Sequence, residues 1–134
     1  GNKGVIEHQV IIPHSNVSLY IRELENIISK NRPRISLCHM KLFSGKTHYV
    51  NFDGDGFCLA LHFVNNNVSN IVLKEIDKID IKYNCVSNLV KDSRLSTEVI
   101  GKQYPHYEKF VNSVKEYDPT LKFSNLITEK IFNN

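Results

Sequence analysis

The chain has 134 residues, 41% hydrophobic and 23% charged, which describes one soluble globular domain or a fragment of a larger protein and is too short for two ordinary domains. Its seventeen Lys and Arg against fourteen Asp and Glu are scattered rather than massed into a stripe, so nucleic acid is not expected as a partner. No apolar run reaches the roughly 20 residues a membrane span needs, no signal-peptide order opens the chain, and Cys38, Cys58 and Cys85 lack paired spacing. A cytoplasmic protein with reduced thiols is expected, with peripheral membrane association left open.

In chain order, Val5 to Ile12 is a β-branched run closed by Pro13, with Ile6, Val10 and Ile12 on one face and Glu7 and Gln9 on the other. Val17 to Lys30 carries apolar residues at helical spacing, with Ser15 or Asn16 available as the cap. Arg34 to Phe43 resumes as a strand whose alternation slips, which predicts a bulge near Cys38-His39 that turns Lys41 onto the open face. Asp53-Gly54-Asp55-Gly56 is a strong turn signal. Phe57 to Val64 then sets bulky Phe57, Leu59, Leu61 and Phe63 against small or polar Cys58, Ala60 and His62. The bulky face suits burial under helices; the other leaves room for something flat. Val68 to Tyr83 is helical, Asn84 is a plausible left-handed stop, and Val86 to Val90 reads as a short strand.

Strand, helix, strand, strand, helix, strand defines an α+β, ferredoxin-like βαββαβ unit over residues 1–92, with an antiparallel sheet and helices on one face. Residues 93–134 form a helical extension: Thr97 to Gln103, a helix begun near Pro105 and stopped by Asp118-Pro119, and a last helical segment from Leu121 to Phe132. Lys91-Asp92-Ser93-Arg94, between the last strand and Ser96-Thr97-Glu98, collects two cations, an anion and a hydroxyl at a strand end. On composition alone that is a solvated turn with a weak ion pair.

Other patterns fail on their chemistry. Ser44-Gly45-Lys46-Thr47 ends like a phosphate loop, but Met40 occupies the required Gly position and a strand follows. Asp53-Gly54-Asp55 lacks the bidentate Glu of a calcium loop, Val64 standing there instead. The six histidines share no ligand spacing on one element, so no metal is expected; a site would need convergence of distant segments.

The ordered series Lys91-Asp92-Ser93-Arg94-Leu95-Ser96, Gln103-Tyr104-Pro105, Asp118-Pro119 and Phe123-Ser124-Asn125-Leu126 resembles the end of the FAD-linked oxidases of the vanillyl-alcohol oxidase superfamily. Within it, the series looks like that of the decaprenylphosphoryl-β-D-ribose oxidases. Gln9-Val10-Ile11-Ile12-Pro13, Lys41-Leu42-Phe43 and Gly56 to Phe63 resemble that family's upstream segments, so the likeness runs from about Val5 to Phe132.

The resemblance implies the C-terminal, substrate-binding part of a flavoenzyme, with FAD held mainly by an upstream domain of the same protein and a sugar or polyprenylphosphoryl sugar as substrate. A short-chain reductase that completes an epimerisation would be a further partner. It implies that Lys91 is catalytic and reaches flavin and substrate, and that Gln9, Lys41, Cys58, Ala60 and Asn88 line the substrate pocket. Asn88, Asp92 and Arg94 would join Lys91 near the cofactor, with Asp92 and Arg94 also able simply to buttress the loop. A fixed ammonium would stabilise the negative charge that hydride transfer leaves on the flavin. This sequence departs from the family at Asn88, where an aromatic is common, and at His62, where an acid is common, which bears on the substrate more than on the flavin. A sugar-lactone or alcohol oxidase of the same superfamily is the alternative, and a free-standing ferredoxin-like binding or oligomerisation module is the alternative of another class.

Overall fold

The computed structural model describes residues 4–91 and 94–132. Strand β1 (Val5–Pro13) leads through a short 3-10 turn (His14–Asn16) into α1 (Val17–Asn31), followed by β2 (Ile35–Phe43), β3 (Gly56–Val64), α2 (Asn67–Lys82) and β4 (Val86–Ser87). The sheet is antiparallel in the order β2-β3-β1-β4. Consecutive β2 and β3 are paired, β1 is inserted between β3 and β4, and the fold is the ferredoxin-like α+β arrangement expected from the element order.

The alternation in β1 and β3 decides which face the helices cover. Val10 and Ile12 of β1, Leu59, Leu61 and Phe63 of β3, and Tyr20, Leu24, Val72, Leu73 and Ile76 of the two helices form one buried cluster. Each large apolar side chain so buried stabilises the fold by about 1.5–3 kcal/mol. Gly56 is fixed by the pairing itself, because a Cβ there would lie 2.2 Å from the Ile12 carbonyl oxygen on the neighbouring strand.

Polar groups tie the helices to the sheet and to each other. Tyr20 Oη donates to Asp80 Oδ1 at 2.7 Å, and His8 Nε2 lies 3.2 Å from Asp80 Oδ2, all three residues being fully buried. Glu23 of α1 accepts from Lys82 Nζ at 2.5 Å and from Tyr83 Oη at 2.6 Å, which together hold its carboxyl below the usual range. Asn84, with φ of 54°, takes the left-handed position expected of it. Asn16 stands at the N-cap of α1, but its side chain makes no capping hydrogen bond there; its Nδ2 donates instead to the Tyr83 carbonyl at 2.8 Å, joining the start of one helix to the end of the other.

Three expected boundaries move. The irregularity in β2 falls at Ser36, between the pairs Ile35↔Phe63 and Leu37↔His62, rather than near Cys38-His39. Ser36 Oγ donates to the His62 carbonyl at 3.2 Å, so the small hydroxyl residue supplies the extra position. Lys41 still reaches the sheet face away from α1 and α2, because the slip precedes it. Strand β4 ends at Ser87 instead of Val90, as Asn88 turns its side chain back and Val90 N donates to Asn88 Oδ1 at 3.1 Å.

In the extension, α3 (Thr97–Gln103) and α4 (Tyr107–Tyr117) lie where expected, whereas α5 spans only Leu126–Phe132. Leu121 has φ of 49°, Asp118 accepts from Lys122 N and Phe123 N, and Asn125 Oδ1 accepts from Ile127 N and Thr128 N. These bonds satisfy a turn and a cap where an uninterrupted helix was expected. A second cluster of Leu89, Leu95, Ile100 and Tyr104 joins α3 to the β4 edge, and Tyr104 Oη donates to the Ser87 carbonyl.

Candidate functional site

The register places residues on the face away from α1 and α2 in rows, since directly paired residues of an antiparallel sheet share a face, and at the Val86 corner that face packs against the second cluster, which includes Ile100 and Tyr104. Leu37, His62 and Glu7 form one row, His39, Ala60 and Gln9 the next, and Lys41, Cys58, Ile11 and Val86 the third. Beyond them Phe43 packs edge-on against Phe52 at 5.8 Å, and Gly54 sits against Ile11, so the 44–55 connection closes that end. What remains is a patch with a small centre and long polar walls.

The loop after β4 completes it. Asn88 N donates to the Gln9 carbonyl at 2.8 Å, and Asn88 Nδ2 donates to Gln9 Oε1 at 2.7 Å. Lys91 N donates to the Asn88 carbonyl at 3.1 Å, a turn that brings Lys91 Nζ to 3.2 Å from Glu7 Oε2. Glu7 Oε1 is 3.8 Å from His62 Nε2, and the rings of His62 and His39 lie 6.3 Å apart.

Six of the residues singled out from sequence, Gln9, Lys41, Cys58, Ala60, Asn88 and Lys91, are thus brought to one face from four separate segments. Cys58 and Ala60 are fully covered by their neighbours and form the floor. Burial pushes the Cys58 thiol up, partly offset by a hydrogen bond with Gln9 and the Lys41 ammonium, while the Glu7 charge adds to the rise. Arg94 goes elsewhere. Its Nη1 and Nη2 donate to the two Asp77 carboxylate oxygens at 2.5 and 2.7 Å on the helix side of the sheet, so it pins the loop to α2. Asp92 lies outside the described residues.

Glu7 and His39 are members of the patch that sequence reasoning did not select. The alternation that put Glu7 beside Gln9 on β1 was the available signal. His39 carried none until the slip at Ser36 fixed the face to which it belongs.

Two other places have chemistry or space. His8, Asp77 and Asp80 offer ligand atoms within 4.8 Å of one another, a convergence of β1 and α2. The Arg94 guanidinium already pairs with Asp77, and Asp80 takes the Tyr20 hydroxyl and faces His8, so both carboxylates already have partners within the protein. A groove of about 530 Å³ runs along α4, lined by Tyr49, Phe110, Val114, Tyr117 and Phe123. The sheet face away from α1 and α2 is the stronger candidate because two cations, two histidines, a carboxylate and two amides converge there. No helix among the described residues is long and apolar enough to cross a membrane.

The fold and the patch define a ferredoxin-like α+β domain with a polar, floor-and-wall site on its open sheet face. No family model and no curated protein sequence matches the chain.

Proposed function

We propose that this chain is the substrate-binding part of an FAD-dependent oxidoreductase that oxidises a hydroxyl-bearing carbon of a sugar or lipid-linked sugar. The observation that supports this reading is the gathering of Gln9, Lys41, Cys58, Ala60, Asn88 and Lys91 on the sheet face away from α1 and α2. The long polar side chains that surround the covered Cys58 and Ala60 suit a hydroxylated substrate. The described residues offer no glycine-rich loop opening a helix that could take a pyrophosphate, so the rest of the cofactor falls to an upstream domain.

The flavin would accept the hydride, and the residues of this chain would bind and hold charge. Lys91 would set an ammonium where negative charge grows, an effect strongest where water is excluded. Lys41 would act as a point charge toward a hydroxyl or phosphate oxygen, and Gln9 with Asn88 as a paired amide edge that both donates and accepts.

The test is made on the full-length gene product: its visible spectrum, then anaerobic bleaching by a polyprenylphosphoryl pentose beside simple aldonolactones. Bleaching by the lipid-linked sugar supports the proposal, and bleaching only by lactones moves it to the lactone oxidases. In that protein Lys91→Ala should slow flavin reduction about tenfold or more; an unchanged single-turnover rate removes Lys91 from the mechanism.

A binding or oligomerisation module is favoured by one feature, the edge strand β2. Leu37, Met40 and Leu42 are 48%, 42% and 68% exposed there, and an apolar edge is a template for pairing. A colourless full-length protein that self-associates through β2 would support that reading instead.

A further inference from the structure

We infer that Glu7 is the positioning residue for the Lys91 ammonium, holding it over the open sheet face; its catalytic meaning rests on the flavoenzyme reading, but its structural meaning does not. Lys91 lies in a turn after a strand of only two residues, and its side chain is 48% exposed. A four-carbon stem in that setting samples many rotamers unless something at its tip selects one. Glu7 supplies that selection from the rigid part of the molecule: it is on β1, paired along its length with β3, and its own side chain is 22% exposed.

The loop is fastened on both sides of the sheet edge. Asn88 locks onto Gln9, one row from Glu7, through a backbone and a side-chain bond. Arg94 locks onto Asp77 on the helix side. Between these anchors Lys91 Nζ falls 3.2 Å from Glu7 Oε2, so the last degree of freedom, the direction of the stem, is taken by the carboxylate.

The carboxylate does not simply cancel the ammonium. Its second oxygen lies 3.8 Å from His62 Nε2, so one carboxylate has a nitrogen group near each of its oxygens. Among the described residues His39, Lys41 and Cys58 are the other titratable or charged groups paired on this face, set in the neighbouring rows. Glu7 therefore orients Lys91 while leaving the patch as a whole cationic.

The test begins with this 134-residue chain, which carries its own core. Competitive acetylation with lysine-by-lysine mass spectrometry should find Lys91 reacting about threefold faster in Glu7→Gln than in the wild type, the size an ion pair of this exposure supports. The other lysines should be unchanged, and Glu7→Asp, with the charge kept on a shorter stem, should fall between. An unchanged Lys91 rate in a Glu7→Gln chain that melts like the wild type overturns the inference.

In the full-length protein, Glu7→Gln should lower the maximal rate of flavin reduction about fivefold with little change in KM, because an ammonium set free from its position still attracts substrate. Faster labelling of Lys91 with an unchanged maximal rate would overturn the catalytic half. A full-length protein without flavin would remove the functional reading while leaving the labelling result to decide what Glu7 does.

Discussion

Replacing Tyr20 by Phe isolates one buried hydrogen bond. Tyr20 is fully buried and its hydroxyl donates to Asp80 Oδ1 at 2.7 Å. The ring stays, with its edge contact to Tyr83 at 6.1 Å, so the substitution opens no cavity larger than an oxygen. What is lost is a donor to a fully buried carboxylate that solvent cannot reach, and hydrogen bonds to charged groups contribute about 1.5–3 kcal/mol. A loss of about 2 kcal/mol is expected near pH 7, lowering the melting midpoint of a chain of this length by about 6–8 °C.

The pH dependence supplies a second, independent reading of the same bond. Burial first, and then the Asp80 charge, raise the Tyr20 phenol well above its ordinary value. A group whose folded value is raised holds its proton more tightly when folded. The stability it contributes is complete below the unfolded value of about 10 and is lost as pH rises through the folded value. Phe cannot ionise, so the difference between the wild type and Tyr20→Phe should narrow between about pH 8 and about pH 11. Urea unfolding of both chains across that range measures it. A difference below about 0.5 kcal/mol near pH 7, or one that stays constant up to pH 11, would show that this bond does not hold the buried pair together.

Gly56→Ala should destabilise by about 2 kcal/mol or more, because its Cβ would lie 2.2 Å from the Ile12 carbonyl oxygen and two paired strands must separate to admit it. Chemical denaturation checks this, and a wild-type midpoint would show that the strands are not held this close. Thiol labelling near pH 8 should modify Cys38 rapidly and leave Cys58 and Cys85 protected until the chain unfolds. Cys38 is exposed, whereas burial raises both other thiols, with the Asp80 charge adding to the rise at Cys85. Rapid labelling of all three without denaturant would contradict the packing of β3 and β4.

Most of the fold was legible because its signals are local. Two clean alternations, two helical stripes and Asn84 at a helix end fixed the element order, and that order leaves few ways to close an antiparallel sheet. The open face was legible for the same reason: Cys58, Ala60 and His62 could not share the bulky core. The misplaced boundaries were those where a side chain competes with the backbone. Ser36 absorbs the slip in β2, Asn88 ends β4 early, and Asp118 with Asn125 shortens the last helix.

Local pattern along the chain therefore suffices for the α+β class, for the two faces of the sheet, and for the residue types on the face away from α1 and α2. Which of those residues meet depends on how the chain closes in space. Glu7 and Lys91 are far apart along the chain, and nothing in the spacing says that a turn at Asn88 will set one against the other. Arg94 and Lys91 lie three residues apart, yet the first turns to Asp77 on the helix side and the second to Glu7 on the open side. Periodicity is a property of neighbours, whereas a site is assembled by the strand order and register, which bring distant segments within a few ångströms.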